Sequence, residues 1–90
     1  MKLFFCPECA DVVKLKRYER FCECGKSRGS YRPDGIHADL SDKAIPLGID
    51  NRSFAQALRR RPEYGDSERF DAFVIPRICP TVHERDAWEN

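Results

Sequence analysis

Five cysteines and two histidines hold most of the reactive chemistry in this 90-residue chain. Four of the cysteines form two close pairs, Cys6-Pro7-Glu8-Cys9 and Cys22-Glu23-Cys24-Gly25, with twelve residues between them. Tetrahedral zinc holds thiolates at about 2.3 Å, which places the sulfurs roughly 3.8 Å apart. A C-x2-C turn aims two thiolates at one point. In a C-x-C stretch of extended chain, residues i and i+2 project from the same face, so Cys22 and Cys24 can share that point. Gly25 then accepts the positive φ of a tight turn. The pattern predicts one structural Zn2+ held by Cys6, Cys9, Cys22 and Cys24. Disulfides are the main alternative, and a reducing compartment argues against them. A redox dithiol at Cys6 and Cys9 would need a strand-to-helix context, and none follows. Four thiolate ligands close the coordination shell, so this zinc offers no position for water or substrate.

Between the pairs, Val13 and Leu15 alternate with charged residues, the mark of a half-buried strand. A strand, a turn near Tyr18-Glu19 and a short return would bring both pairs to one end of a hairpin. Its tip would present Arg17, Tyr18, Arg20 and Phe21.

"FFCPEC" and "CECGK" resemble the two knuckles of the zinc-ribbon families, of the rubredoxin type. The resemblance covers residues 1–30 and implies a metal and a local fold; ribbons serve too many processes for it to imply a function. Two departures stand out. Ala10 follows Cys9 where ribbons place glycine, and the second knuckle is C-x-C instead of C-x2-C. The whole chain is also similar to small bacterial and phage proteins that join such a ribbon to an "AIPLGIDNRSF"-like segment, a likeness that implies no activity.

Beyond the ribbon, Ser27-Arg28-Gly29-Ser30 reads as a turn, and Tyr31 as the start of a strand. Pro33-Asp34-Gly35 is a turn signal. Ile36, Ala38 and Leu40 alternate with polar residues as the inward side of a strand. Ala44 to Ile49 is apolar but contains Pro46, which predicts an edge or broken strand. Asp50 is a helix N-cap, Ile49 and Phe54 occupy the positions of a hydrophobic staple, and Pro62 stops the helix. Arg59, Arg60 and Arg61 fill its last turn, where cations suit the helix dipole. Ala72 to Ile75 is continuously apolar, which predicts cover on both faces. The fold expected is small α+β: an N-terminal zinc ribbon β-hairpin over 1–30, continued over 31–80 by a short antiparallel sheet with one helix in one cooperative domain. Residues 81–90 read as a polar tail whose Trp88 either packs back on the sheet or anchors a partner.

Composition narrows the function. Hydrophobic residues make up 41% of the chain and charged ones 34%, a globular mixture. Chains of this size commonly need a metal or disulfide staple. The net charge of +1 creates no strong field toward nucleic acid or membrane. No apolar run approaches the roughly 20 residues of a membrane span, and the N-terminus has no signal-like region, so a cytoplasmic location is expected. Cys79 and His83 invite a nucleophile-and-base reading, but Pro80 interrupts any helix between them and no oxyanion device accompanies them. A second zinc from Cys79, His83 and His37 would require three separate segments to converge. The chain therefore reads as a non-enzymatic binding module with no small-molecule substrate. A protein partner is expected, contacted through Arg17, Tyr18, Arg20 and Phe21, or alternatively through Arg59–Arg61 or Trp88. The other reading is nucleic acid: residues 1–35 hold eight Lys or Arg against five Asp or Glu, and the tip interleaves cations with aromatics.

Overall fold

The computed structural model describes residues 1–85. Eight strands and one helix follow in order: β1 (Lys2–Phe5), β2 (Val12–Lys14), β3 (Arg20–Phe21), β4 (Arg28–Tyr31), β5 (Ala38–Leu40), β6 (Ile45–Ile49), α1 (Asn51–Arg59), β7 (Ala72–Val74) and β8 (Val82–Glu84). They form two four-stranded sheets, β2-β1-β6-β7 and β3-β4-β5-β8. The class is small α+β, mostly β.

Each cysteine pair sits in the turn of its own hairpin. Phe5 pairs with Val12 across the first pair, and Phe21 with Arg28 across the second. The hairpin expected within residues 11–21 is absent, because β2 and β3 belong to different sheets. Arg17 and Tyr18 lie on the segment crossing between the sheets and not at a hairpin tip. Ser27–Ser30, read as a turn, is mostly strand β4: a second hairpin needs a return strand after the second pair, and these residues provide it.

The core lies between the sheets. Phe4, Cys6, Val13, Leu15, Cys22, Ala38, Leu40 and Ala44 are buried together, with Cys9, Tyr31 and Val82 packed on them. Gly29 makes this contact close. A Cβ there would stand 2.4 Å from Leu40 Cδ2 and 3.1 Å from Leu15 Cδ2, so only glycine lets both leucines in. Ala38 and Leu40 point inward as expected, but Ile36 is 57% exposed, because the 33–36 turn ends before β5 begins.

Pairing over long sequence distances places β6 inside its sheet and not at the edge. It bonds to β1 and to β7, antiparallel on both sides. Pro46 is tolerated there for a geometric reason. Its carbonyl accepts from Ile75 N–H at 3.0 Å, so its nitrogen faces the same side, beyond the end of β7, and no bond to β1 is lost. The apolar run at 72–75 is correspondingly the sheet edge: only Ile75 is buried, and Phe73 is 53% exposed. The start of the expected polar tail is strand β8, parallel to β5 with Ala38 opposite Val82; it covers a sheet edge that would otherwise be open.

The helix forms as its caps dictate. Asp50 accepts from Arg52 N–H at 3.3 Å, and the Phe54 amide bonds to the Asp50 carbonyl at 3.0 Å. It buries no residue, and Leu58 is exposed. Phe54 meets Phe70 edge to face, with ring centroids 4.8 Å apart. The molecule measures 47 × 28 × 22 Å. Its radius of gyration is 14.6 Å, against about 12 Å for a compact domain of this length. No helix among the described residues is long and apolar enough to cross a membrane.

Candidate metal centre

The two hairpin turns share one plan. In the first, Cys6 N–H donates to Asp11 O at 2.9 Å; in the second, Cys22 N–H donates to Ser27 O at 3.0 Å. Each turn thus closes five residues after its first cysteine. Each also places a left-handed residue directly after its second cysteine, Ala10 at φ 60° and Gly25 at φ 77°. The difference between C-x2-C and C-x-C is absorbed inside the turn: Ala10 N–H bonds back four residues to Cys6 O, and Gly25 N–H bonds back three to Cys22 O. Ala10 is thus where the departure from the ribbon pattern is felt, since an L-residue with a Cβ pays a conformational penalty at this φ. The turns are tied to each other by Glu23 N–H, which donates to Asp11 Oδ2 at 2.9 Å.

The result is that the sulfurs of Cys6, Cys9, Cys22 and Cys24 all lie within 4.8 Å of one another. Of two separations, 3.8 Å for Cys6–Cys24 matches the spacing of thiolates around one tetrahedral ion and 3.4 Å for Cys22–Cys24 is somewhat shorter. All four are free thiols; Cys6 and Cys22 are buried, Cys9 is half-buried and Cys24 exposed. The four could hold a metal ion, and the surroundings favour thiolate. Ser27 N–H donates to Cys22 Sγ at 3.3 Å. The Ser27 hydroxyl is buried without a well-formed hydrogen bond, and its nearness favours the Cys6 thiolate, whose pKa falls to about 6. Burial is the strongest influence on Cys22 and opposes its charge, yet the Ser27 amide together with the Cys24 and Cys9 thiols lowers its pKa on balance. Cys24 goes the other way. Against the Lys26 amide, which favours its thiolate, partial desolvation and the three neighbouring sulfurs push it up to about 12. Four sulfurs this close cannot all ionise without a cation among them.

Asp11 and Ser27 were not singled out from the sequence. The available signal was their position, each five residues after the first cysteine of its pair.

Tyr18 is 63% and Phe21 51% exposed. Arg17 is exposed, with its guanidinium against the Gly35 backbone. Arg20 Nη1 donates to Lys14 O at 2.9 Å, and Arg28 both bridges to Glu19 at 2.8 Å and lies over the Phe21 ring. Arg59, Arg60 and Arg61 are exposed at the helix end. Trp88 lies outside the described residues. Cys79 is half-buried, not buried, and its sulfur sits 3.5 Å from Thr81 Oγ1, a contact that lowers its pKa. His37 and His83 do come together, stacked at 5.5 Å, with His37 Nδ1 2.6 Å from Asp34 Oδ2. Among the described residues, the four-cysteine set is nevertheless the one group of three or more metal-ligating side chains that converges.

One face of the β2-β1-β6-β7 sheet is a feature that sequence reading did not anticipate. Strand register places Val12, Lys14, Leu3, Phe5, Ile45, Leu47, Ile49, Ala72 and Val74 on it together. Lys14 is its sole charged member. Val12, Ile45 and Val74 are exposed.

Compared with protein-family models, curated proteins and solved structures, the chain matches none.

Proposed function

We propose that this chain is a non-enzymatic zinc-ribbon module. In this reading Cys6, Cys9, Cys22 and Cys24 hold one structural Zn2+, and the folded surface engages a larger protein partner in the cytoplasm as a regulator, adaptor or inhibitor. The observation that carries the metal reading is the convergence of four cysteine sulfurs from two hairpin turns. Soft thiolates in a tetrahedral set favour zinc or iron among the common metals, and zinc needs no redox partner. A full set of four protein ligands suits a structural role, because no coordination position remains for a substrate. The ion would supply the charge that lets all four thiolates ionise, and would lock the two hairpins together.

The protein-partner reading draws support from the apolar face led by Val12, Ile45 and Val74. Contiguous apolar surface of this kind marks contact sites more than solvated faces. Nucleic acid fits less well, since Arg20 and Arg28 are already engaged with Lys14 O, Glu19 and the Phe21 ring.

Native mass spectrometry with elemental analysis tests the metal: one zinc per chain is expected, and iron or no metal would refute the assignment. For the partner, affinity enrichment compares the wild type with Val12→Lys/Ile45→Lys. Proteins retained by the first and lost by the second, with zinc content equal, support the reading. A salt-dependent affinity for nucleic acid that survives these changes would favour the alternative.

A further inference from the structure

Each sheet has two outer strands, and three of the four edges carry some protection. On β2, Leu15 N–H bonds to Lys2 O, so the groups of Val12 and Lys14 face outward, and Arg20 caps the Lys14 carbonyl at 2.9 Å. Strand β3 is two residues long and includes Arg20. Strand β8 carries His83 and Glu84 among its three residues. Strand β7 has none of these devices.

Its polarity can be read from two bonds. Asp71 O accepts from Asp50 N–H at 2.9 Å, and Ile75 N–H donates to Pro46 O at 3.0 Å. Residues 71, 73 and 75 therefore face β6, and the backbone groups of Ala72 and Val74 face outward. Ala72, Phe73 and Val74 are all exposed and uncharged, and Val74 is 65% exposed. Proteins normally blunt an edge of this kind with charge, proline or a bulge, because it is a template for another strand.

We propose that this edge pairs with β7 of a second copy of the chain, antiparallel about a two-fold axis through Phe73. With Ala72 opposite Val74 of the other copy, every outward N–H and C=O of the two strands finds a partner, four hydrogen bonds across the axis. The two Phe73 residues face each other at the non-hydrogen-bonded position, where the strands approach most closely, while each ring lies over Gly48 of its own chain and leaves the edge backbone open. Charge sets the direction. The strand is flanked by Asp71 at one end and Arg77 at the other, both exposed. Antiparallel pairing puts Asp71 of each copy opposite Ile75 and diagonal to Arg77 of the other, within reach of a long side chain. Parallel pairing would set like charges side by side. The two sheets would then run on as one of eight strands, and their apolar outer faces, each including Val74, would become continuous. This interface involves neither cysteine turn, so it stands apart from the metal reading.

The test is the solution mass of the metal-loaded full chain across a concentration series, by sedimentation or light scattering. The wild type is expected to rise from 10.5 kDa toward twice that value as concentration reaches the millimolar range. Val74→Pro deletes one outward donor and leaves the bonds to β6 untouched; Val74→Lys sets an ammonium on each copy beside the axis. Both variants should stay at the single-chain mass, with circular dichroism and zinc content of the wild type. Should Val74→Pro disturb the fold, Val74→Lys decides alone, since its side chain is solvent-facing. A wild type that remains a single chain at every concentration overturns the proposal, as does a dimer that persists in folded Val74→Lys. Zinc is measured in the same samples, so failure of the metal assignment is read separately.

Discussion

Exchanging the residues that follow each second cysteine should move stability in opposite directions. Ala10 and Gly25 occupy equivalent places in the two turns, both left-handed, at φ 60° and 77°. An L-residue with a Cβ is disfavoured there by about 1–2 kcal/mol. Glycine escapes that cost but gives back about 0.5–1 kcal/mol through the greater freedom of the unfolded chain. Ala10→Gly should therefore stabilise the protein by roughly 0.5–1 kcal/mol, and Gly25→Ala should destabilise it by a similar amount. The second substitution is clean, because a Cβ at Gly25 meets nothing within 4 Å. Any cost is thus conformational and not steric. For a domain of this size, about 1 kcal/mol corresponds to roughly 4–8 °C in Tm. The measurement is urea or thermal unfolding at a fixed, buffered free zinc concentration, since a bound metal otherwise shifts the apparent stability. A neutral Gly25→Ala, or a destabilising Ala10→Gly, would refute the reasoning and show that the turns do not hold left-handed residues at these places.

Metal removal by a chelator should collapse both hairpins, since zinc binding in finger peptides supplies on the order of 10–16 kcal/mol; an unchanged near-ultraviolet dichroism after chelation would contradict this. Cys79→Ala should retain one zinc per chain by native mass spectrometry, whereas Cys22→Ser should lose it. Gly29→Ala should cost about 1–3 kcal/mol in chemical denaturation, because its Cβ would collide with the Leu40 side chain. Asp34 accepts from the amides of Ile36 and His37, both at 2.9 Å, and from the His37 ring. The Ile36 amide first, then the His37 ring and amide, hold its carboxyl well below the usual carboxylate range. Its contribution is therefore present above the ordinary aspartate pKa of about 3.9 and fades as pH falls below it. Asp34→Ala should accelerate amide exchange at Ile36 and His37 at neutral pH, read by hydrogen-exchange mass spectrometry. A chain beginning at Ser30 should give a collapsed NMR spectrum, because it lacks β1, the strand that pairs with β6.

What the sequence determined by itself is what a few neighbouring residues decide. Each cysteine pair follows from spacing alone, because ligands two or three residues apart reach one point whatever surrounds them; the two pairs meet because hairpins of different sheets are brought together. The helix follows from Asp50 at one end and Pro62 beyond the other, and the 33–35 turn from Pro, Asp and Gly in succession; each is settled by bonds or sterics within one turn of chain. Tertiary structure decided which strand lies beside which. Val12–Lys14 reads as a strand in isolation, but its partner is β1 before it and not a return strand after it. Pro46 reads as an edge residue, yet it sits in an interior strand because its nitrogen faces the spot where β7 has ended. The 72–75 run reads as doubly covered, yet β7 is outermost. Apolar content records a preference for burial; it does not record how many neighbours the sheet supplies. That number comes from pairing between segments such as β1 and β6, or β5 and β8, which lie some forty residues apart and whose hydrogen bonds exist only once the chain has closed.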